Sequence, residues 1–282
     1  MKHFHEWPLV VFTTLAILGA GMLTVPLGIG VIDVHGGAVD AIQLWREASA
    51  SRTLVGLALL LAGLVVSMAH LGKPARSPRA LARLGHSRLS VEVALAGATL
   101  AAGAAAVAWP VVHSLALVTA LCAAAFLPAL GFVYALPGQL TWGGASAITP
   151  LTTGLGFGAL VLLATPGGPA SGIPLAAPVL LGVDVIAFAL RWRMVSLVGQ
   201  AEAWPHTSLL AARFVLVDVL PCVLLLAGLP KGAAGFLGLG ILVDRLGFYL
   251  LAAQHTTERE IARIEALMEE PPGADEGDSG AR

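Results

Sequence analysis

The side chains best suited to chemistry in this sequence lie at the ends of its apolar segments. His70 ends one apolar segment, directly before Gly72 and Pro74, and Glu92 begins the next. An imidazole titrates near neutral pH and a carboxylate accepts protons, so these residue types suit proton transfer. Each also has a structural interpretation: His70 as an interfacial helix cap, and Glu92 as an acidic residue that stabilises a helix N-terminus.

Two arginines lie inside later apolar segments. Arg213 and Arg245 carry guanidinium groups, which donate hydrogen bonds to a ligand oxygen or neutralise a buried carboxylate such as Asp218 or Asp244. Both roles are open for both arginines. Because Asp244 and Arg245 are sequence neighbours, they point to different faces of a helix, and we expect that they do not pair simply with each other.

Three aromatic residues near segment ends are also candidates. Tyr134, Trp142 and Tyr249 carry rings that stack on a ring-shaped ligand, and the tyrosines can hydrogen-bond it. The same residue types form belts at membrane surfaces, which is the preferred interpretation for Trp142.

The elements that position these residues are membrane-spanning helices. The chain has 282 residues, of which 57% are hydrophobic and 12% are charged. Soluble domains carry about 25% charged residues, so the composition predicts an integral membrane protein and excludes a nucleic-acid-binding surface. Cys122 and Cys222 lie inside apolar runs, and no CxxC pattern or other metal-site pattern occurs. We expect the first apolar run to be retained as a span.

Apolar runs long enough to cross a bilayer predict an all-α bundle of about eight transmembrane helices. The predicted spans are residues 9–32, 53–71, 91–109, 114–136, 148–165, 175–197, 209–229 and 233–253. Seven spans would result if the sixth, interrupted by Asp184 and Arg191, were interfacial. Residues 1–255 then form the membrane domain, and the charged, Pro- and Gly-rich segment 256–282 is expected to be a disordered tail. The small residues at 154–158 reflect either close helix packing or compositional bias.

An even number of spans places both termini on one side, here called side A. His70, Glu92 and most of the buried charges lean towards side A. A charge in the membrane interior is costly, so these residues face the bundle interior, pair together or line a functional cavity. Side A also contains the basic connector Lys73, Arg76, Arg79, Arg83 and Arg88. Its charge indicates either a cytoplasmic location or a docking surface for an acidic partner.

Several short motifs, taken in this order, resemble the membrane anchor subunit of dimethyl sulfoxide reductase-type molybdoenzymes. The resemblance covers nearly the whole chain before the tail. It rests on His5-Glu6-Trp7-Pro8-Leu9, Ser67-Met68-Ala69-His70-Leu71-Gly72-Lys73-Pro74, Ser90-Val91-Glu92, Val133-Tyr134, Leu140-Thr141-Trp142, Thr149-Pro150 and Asp244-Arg245-Leu246-Gly247-Phe248-Tyr249.

The resemblance implies a function. Such an anchor lies in the cytoplasmic (inner) membrane, oxidises menaquinol during anaerobic respiration, and does not itself reduce the terminal substrate. It implies two partners, a ferredoxin-like iron–sulfur subunit and a molybdopterin catalytic subunit, and no haem in the anchor. The implied quinol-site residues are His70 and Glu92, and Arg213, Arg245, Tyr134 and Tyr249 are further candidates for ligand contact. Familiar members place the face corresponding to side A in the periplasm, which conflicts with the basic connector.

Two other functions are compatible with parts of the sequence. A quinone-binding anchor of a polysulfide, tetrathionate or nitrite reductase system would share the same features. A secondary transporter would instead concentrate polar residues near mid-membrane between internal repeats. This chain concentrates them towards one face and shows no clear repeat.

Overall fold

The computed structural model describes residues 6–35, 39–69, 84, 86–134, 145–165, 173–198, 204–252, 261 and 265. The long elements in these ranges are all helices, and the described residues contain no strand, so the predicted all-α fold is confirmed. The helices are α1 Trp7–His35, α2 Val39–Met68, α3 Arg88–Ala108, α4 His113–Phe132, α5 Ala145–Leu163, α6 Ile173–Val198, α7 Trp204–Phe214, α8 Leu220–Leu226 and α9 Pro230–Ala252; a π-helical turn, Val215–Val219, joins α7 to α8.

Helix α1 lies at the centre of the bundle. It packs against α2, α4, α5 and α9. Ala16, Ile17, Ala20 and Leu23 on this helix are completely buried. A helix that is apolar on every side is typical of a bundle centre in a membrane, and the more exposed α2 and α3 have the surface that lipid covers.

Glycines allow α1 and α5 to approach closely. A Cβ atom on Gly21 would lie 2.0 Å from the Gly154 carbonyl oxygen, and one on Gly158 would lie 2.1 Å from the Gly21 carbonyl oxygen. No larger residue fits this crossing, because the obstacle is backbone. The glycines at 154 and 158 are therefore packing features, as small residues are at other membrane helix contacts.

The turn between α8 and α9 is set by one glycine. Gly228 has a φ of 73° and donates its N–H to the Leu225 carbonyl, while Leu229 donates to the Leu224 carbonyl. This is the Schellman motif, in which a right-handed α-helix ends at a residue with a left-handed backbone conformation. Pro230 opens α9, where its missing N–H has no cost.

The helices make this chain a multi-pass membrane protein. Among the described residues, six helical stretches are long and apolar enough to cross a membrane by length and composition. Five lie in α1, α2, α3, α4 and α9, and the sixth, Thr207–Leu226, is formed by α7, the π-helical turn and α8 together. Part of α5, Ala147–Leu163, is a shorter apolar helix. The polar connector between the first two predicted spans is largely helical, since α1 extends to His35 and α2 begins at Val39. The count of eight crossings and the shared side of the termini stay predictions.

Candidate functional site

Two tyrosines and a phenylalanine pack together where α4 and α9 end. The Tyr249 hydroxyl donates a hydrogen bond of 2.8 Å to the Tyr134 hydroxyl. The Tyr134 ring meets the rings of Phe248 and Tyr249 edge to face, with centroids 5.3 Å and 5.6 Å away. Val10 near the start of α1 packs against the same rings. The sequence placed both tyrosines among the candidates, and the structure brings them together.

Glu92 is buried in α3, and its carboxylate lies within electrostatic range of both tyrosine hydroxyls. Tyr249 and Arg245 also lie within electrostatic range of the Tyr134 hydroxyl. We call Glu92, Tyr134, Phe248 and Tyr249 the tyrosine cluster.

The position of Glu92 in α3 bears on its structural interpretation. Helix α3 begins at Arg88, and its first turn contains no acidic residue. Glu92 is one turn further in, beyond the free N–H groups that a capping carboxylate would serve. The helix-stabilising role predicted as an alternative therefore does not account for Glu92. At the same end of α3, the Arg88 Nη1 atom donates to the Phe132 carbonyl at 3.2 Å and so connects α3 to the end of α4.

A second group of polar side chains is buried between α6, α7, α9 and the π-helical turn. It contains three arginines and three aspartates, all at most 5% exposed. We call it the ionic network; its members are Asp184, Arg191, Arg213, Asp218, Asp244 and Arg245. Opposite charges are equal in number, so the network as a whole is formally neutral.

Arg213 is one hub of the ionic network. Its Nη1 atom lies 2.6 Å from Asp218, its Nε atom lies 3.3 Å from Asp244, and its Nη2 atom bonds Asp184. Thr152 on α5 donates to the other Asp184 oxygen at 2.6 Å. All three guanidinium nitrogens of Arg213 are thus bonded to carboxylates, so Arg213 has the structural role that the sequence left open, and it does not join the tyrosine cluster.

Asp244 is the other hub. The Arg191 Nη1 atom donates to it at 2.9 Å, Arg213 reaches it as described, and the Arg245 Nε atom donates to it at 3.0 Å. The expectation that Asp244 and Arg245 do not pair was wrong. Neighbouring Cα atoms do face different ways, but the long arginine side chain folds back, so that Nη2 also bonds Asp244.

The π-helical turn explains how Asp218 meets Arg213. Residues five apart do not face each other on an α-helix, where neighbours are three and four apart. In the turn Val215–Val219 the Leu220 N–H donates to the Val215 carbonyl, five residues earlier. Pro221 follows and has no N–H to donate, which removes one α-helical bond at this point. The wider turn puts Asp218 beside Arg213, as π-turns often do at functional or polar sites.

Arg245 joins the two groups. It is bonded to Asp244 in the ionic network, and its guanidinium carbon lies 5.0 Å from the centre of the Phe248 ring. Of the predicted site residues, Glu92, Tyr134, Arg245 and Tyr249 are therefore together. His70 and Trp142 lie outside the described residues, as do most residues of the basic connector.

The sequence missed the aspartates as a set. Asp184 and Asp218 were seen only as interruptions or possible partners, yet they and Thr152 complete the network. The occurrence of Asp and Arg together in the later apolar segments was a signal for pairing, but it did not identify the pairs. Among the described residues, no group of three His, Cys, Asp or Glu side chains is placed to hold a metal ion.

Comparisons with known proteins show the family to which the chain is similar. Residues 1–148 of the 282-residue chain match the sequence profile of the family described as DMSO reductase anchor subunit (DmsC). A stretch of 100 residues is 37% identical to the anaerobic dimethyl sulfoxide reductase chain YnfH of Escherichia coli (strain K12). That match covers 36% of this chain and 33% of the relative, about a third of each. The family match includes Glu92 and Tyr134 and ends before the ionic network.

Proposed function

This chain belongs to the DMSO reductase anchor subunit (DmsC) family, and from that premise we propose that it oxidises menaquinol and passes the electrons to an iron–sulfur partner subunit. The observation that carries the proposal is the buried association of a carboxylate, two hydroxyls and a guanidinium at the ends of α3, α4 and α9. A quinol needs acceptors for its two hydroxyl protons and apolar walls for its ring. Glu92, the tyrosine hydroxyls and the rings of the tyrosine cluster provide these types of contact.

The proposed reaction releases two protons and two electrons from each quinol. Glu92 accepts one proton, and His70, at the end of the apolar segment before the basic connector, accepts the other. Tyr134 and Tyr249 orient the quinol ring, and Arg245 donates a hydrogen bond to a ring oxygen. The electrons leave to the iron–sulfur subunit, which is the oxidant for this step.

The partners follow from the family. We propose a complex with a ferredoxin-like iron–sulfur subunit and a molybdopterin catalytic subunit, in the cytoplasmic membrane during anaerobic respiration. Iron–sulfur clusters and molybdopterin belong to those partners, and the catalytic subunit chooses the terminal acceptor. The anchor role is favoured over a transporter because Glu92 and both tyrosines lie at helix ends rather than at mid-membrane.

Quinol oxidation is tested with the purified complex. We expect both partner subunits to co-purify with the chain, and His70→Ala to reduce menaquinol-dependent reduction of the terminal acceptor by about 100-fold, the usual contribution of a general base. Glu265→Gln, at an exposed position, is the control and should leave the rate unchanged. Quinol-dependent activity and quinol-analogue binding that both survive in His70→Ala would remove His70 from the site.

The membrane side is tested by fusion. A C-terminal alkaline phosphatase is active only outside the cytoplasm, so activity would place side A in the periplasm. Absence of activity, with a cytoplasmic reporter active at the same point, would place side A in the cytoplasm as the basic connector predicts.

A further inference from the structure

The charges of the ionic network are unevenly divided. Arg191 and Arg245 both bond Asp244, which makes a group of two positive charges and one negative charge. Asp184 and Asp218 both bond Arg213, which makes a group of two negative charges and one positive charge. The formal charge is therefore +1 for the first group and −1 for the second. A single contact of 3.3 Å between Arg213 and Asp244 joins them.

The positive group is the one that borders the tyrosine cluster. The guanidinium carbons of Arg191 and Arg245 lie 5.4 Å and 5.0 Å from the centre of the Phe248 ring. The same ring meets Tyr134 and Tyr249 edge to face. Arg213 of the negative group lies instead over Phe188, 4.7 Å from the ring centre. The network thus has a positive end at Phe248 and a negative end away from it.

Arg191 has little local compensation for its charge. Its partner carboxylate, Asp244, is shared with Arg213 and Arg245, and its Nε atom is buried without a hydrogen-bond partner among the described residues. A buried guanidinium of this kind is stabilised by any negative charge that comes close, because the surroundings screen poorly. Phe248, the ring that Arg191 and Arg245 both face, belongs to the tyrosine cluster, so a negative charge on a ligand bound there would lie near Arg191.

We propose that Arg191 and Arg245, held in place by Asp244, form a fixed positive subsite that favours ligands with an acidic hydroxyl at the tyrosine cluster. This inference rests on the proposed quinol site and adds Arg191 and Asp244 to it as positioning residues. When a ligand hydroxyl gives its proton to Glu92, the negative charge moves from the Glu92 carboxylate to the ligand oxygen. The proton is conserved, and the positive subsite stabilises the charge in its new position.

The test compares two probes that share one ring system and differ at one oxygen: a quinol-like hydroxyquinoline, which has a proton to give, and its O-methyl ether, which has none. Both are titrated against the purified complex in detergent, and binding is followed by fluorescence quenching. At an effective dielectric constant of about 20, unit charges about 10 Å apart change an affinity roughly tenfold. We expect Arg191→Gln to weaken the hydroxyquinoline about tenfold and to change the methyl ether less than about twofold.

Two further variants separate charge from structure. Arg191→Lys keeps the charge and should recover most of the preference for the acidic probe. Asp218→Asn removes a carboxylate from the negative group, so the relative affinity for the acidic probe should stay constant or rise. If Arg191→Gln does not assemble, Arg191→Gln with Asp218→Asn keeps the network formally neutral while it still removes the net charge of the positive group, and the same loss of preference is expected.

The outcomes are distinct. An equal loss for both probes in Arg191→Gln, or an equal loss of preference in Asp218→Asn, would show a structural role and overturn the inference. An unchanged preference in Arg191→Gln would also overturn it. If the unmodified complex bound neither probe, the proposed quinol site itself would be wrong.

Discussion

The tyrosine cluster and the ionic network share helix α9 but are built in opposite ways. The cluster contains one carboxylate among aromatic rings, whereas the network contains equal numbers of acids and bases that bond one another. In the network most donors and acceptors are already used, and this is the pattern of a group that holds helices together. In the cluster the side chains lie at helix ends and combine an acid, hydroxyls and apolar walls. Burial of charge alone therefore does not identify a ligand-binding site in this bundle.

The largest expected effect comes from breaking the network at Arg213. Replacement by methionine leaves Asp184, Asp218 and Asp244 without their shared guanidinium, and removal of one partner of a buried ion pair costs about 3–5 kcal/mol. We expect most Arg213→Met protein to be unfolded. The measurement is an unfolding curve in which sodium dodecyl sulfate is added to the protein in a mild detergent. Arg213→Lys should recover only part of the stability, because the three donors of an ammonium share one nitrogen, whereas Asp184, Asp218 and Asp244 bond three separate nitrogens of the guanidinium. Wild-type stability in Arg213→Met would refute the structural role of the network.

Glu92→Gln tests the tyrosine cluster, where the expected loss is in activity and not in folding. The amide keeps the shape of the side chain but accepts no proton, so quinol oxidation should fall by about 100-fold while folding is retained. The measurement is the rate of quinol-dependent acceptor reduction beside the unfolding curve of the same sample. Equal losses of stability and rate would mean that Glu92, like Arg213, serves the fold.

A pair of glycines on α9 tests the packing beside the ionic network without any change in charge. A Cβ atom on Gly240 would lie 2.6 Å from Val217 Cγ2 and 2.9 Å from the Leu216 backbone, whereas one on Gly247 would meet nothing within 4 Å. Gly240→Ala should therefore lower the free energy of unfolding by about 1–3 kcal/mol through overpacking. Gly247→Ala, the matched control, should raise it by up to about 1 kcal/mol, the difference in helix propensity. Equal stability of the two variants would contradict close packing of the π-helical turn on α9.

The smallest expected effect concerns the two hydroxyls. Tyr134→Phe and Tyr249→Phe each remove one side of a 2.8 Å hydrogen bond. A double-mutant cycle of unfolding free energies should give a coupling of about 1 kcal/mol, the usual net value of such a bond. A coupling near zero would mean that the hydroxyls bond other groups in the membrane.

Part of this arrangement could be predicted from the sequence. Spans alternate in direction, so residues at the start of α3 and at the ends of α4 and α9 belong to the same end of the bundle. Glu92, Arg213 and Arg245 were expected on side A from the order of the spans, and Tyr134 and Tyr249 were chosen as aromatic residues near segment ends. The structure places Glu92, Arg245 and both tyrosines together, whereas Arg213 pairs within the ionic network. Their role in quinol chemistry stays a prediction, as does that of His70.

The pairing within the network could not be predicted. Which aspartate meets Arg213 depends on the rotation of α6 and α9 about their axes, and apolarity on all sides of these helices leaves that rotation undetermined. Asp218 was further obscured because an α-helical register places it away from Arg213. The Asp244–Arg245 pair was predicted wrongly because a rule about Cα directions does not describe a side chain with four rotatable bonds.

The π-helical turn Val215–Val219 also has a consequence for chain length. A π-turn contains one residue more than an α-turn over the same hydrogen-bonded loop. This segment therefore contains one residue more than α-helical winding needs. Deletion of one residue here would restore α-helical winding through α7 and α8. The deletion would keep a helix long enough to cross the bilayer, but it would rotate Asp218 or the whole of α8 relative to Arg213. Length variation at this point would thus alter charge pairing in the interior while leaving the apolar surface of the helix suited to lipid.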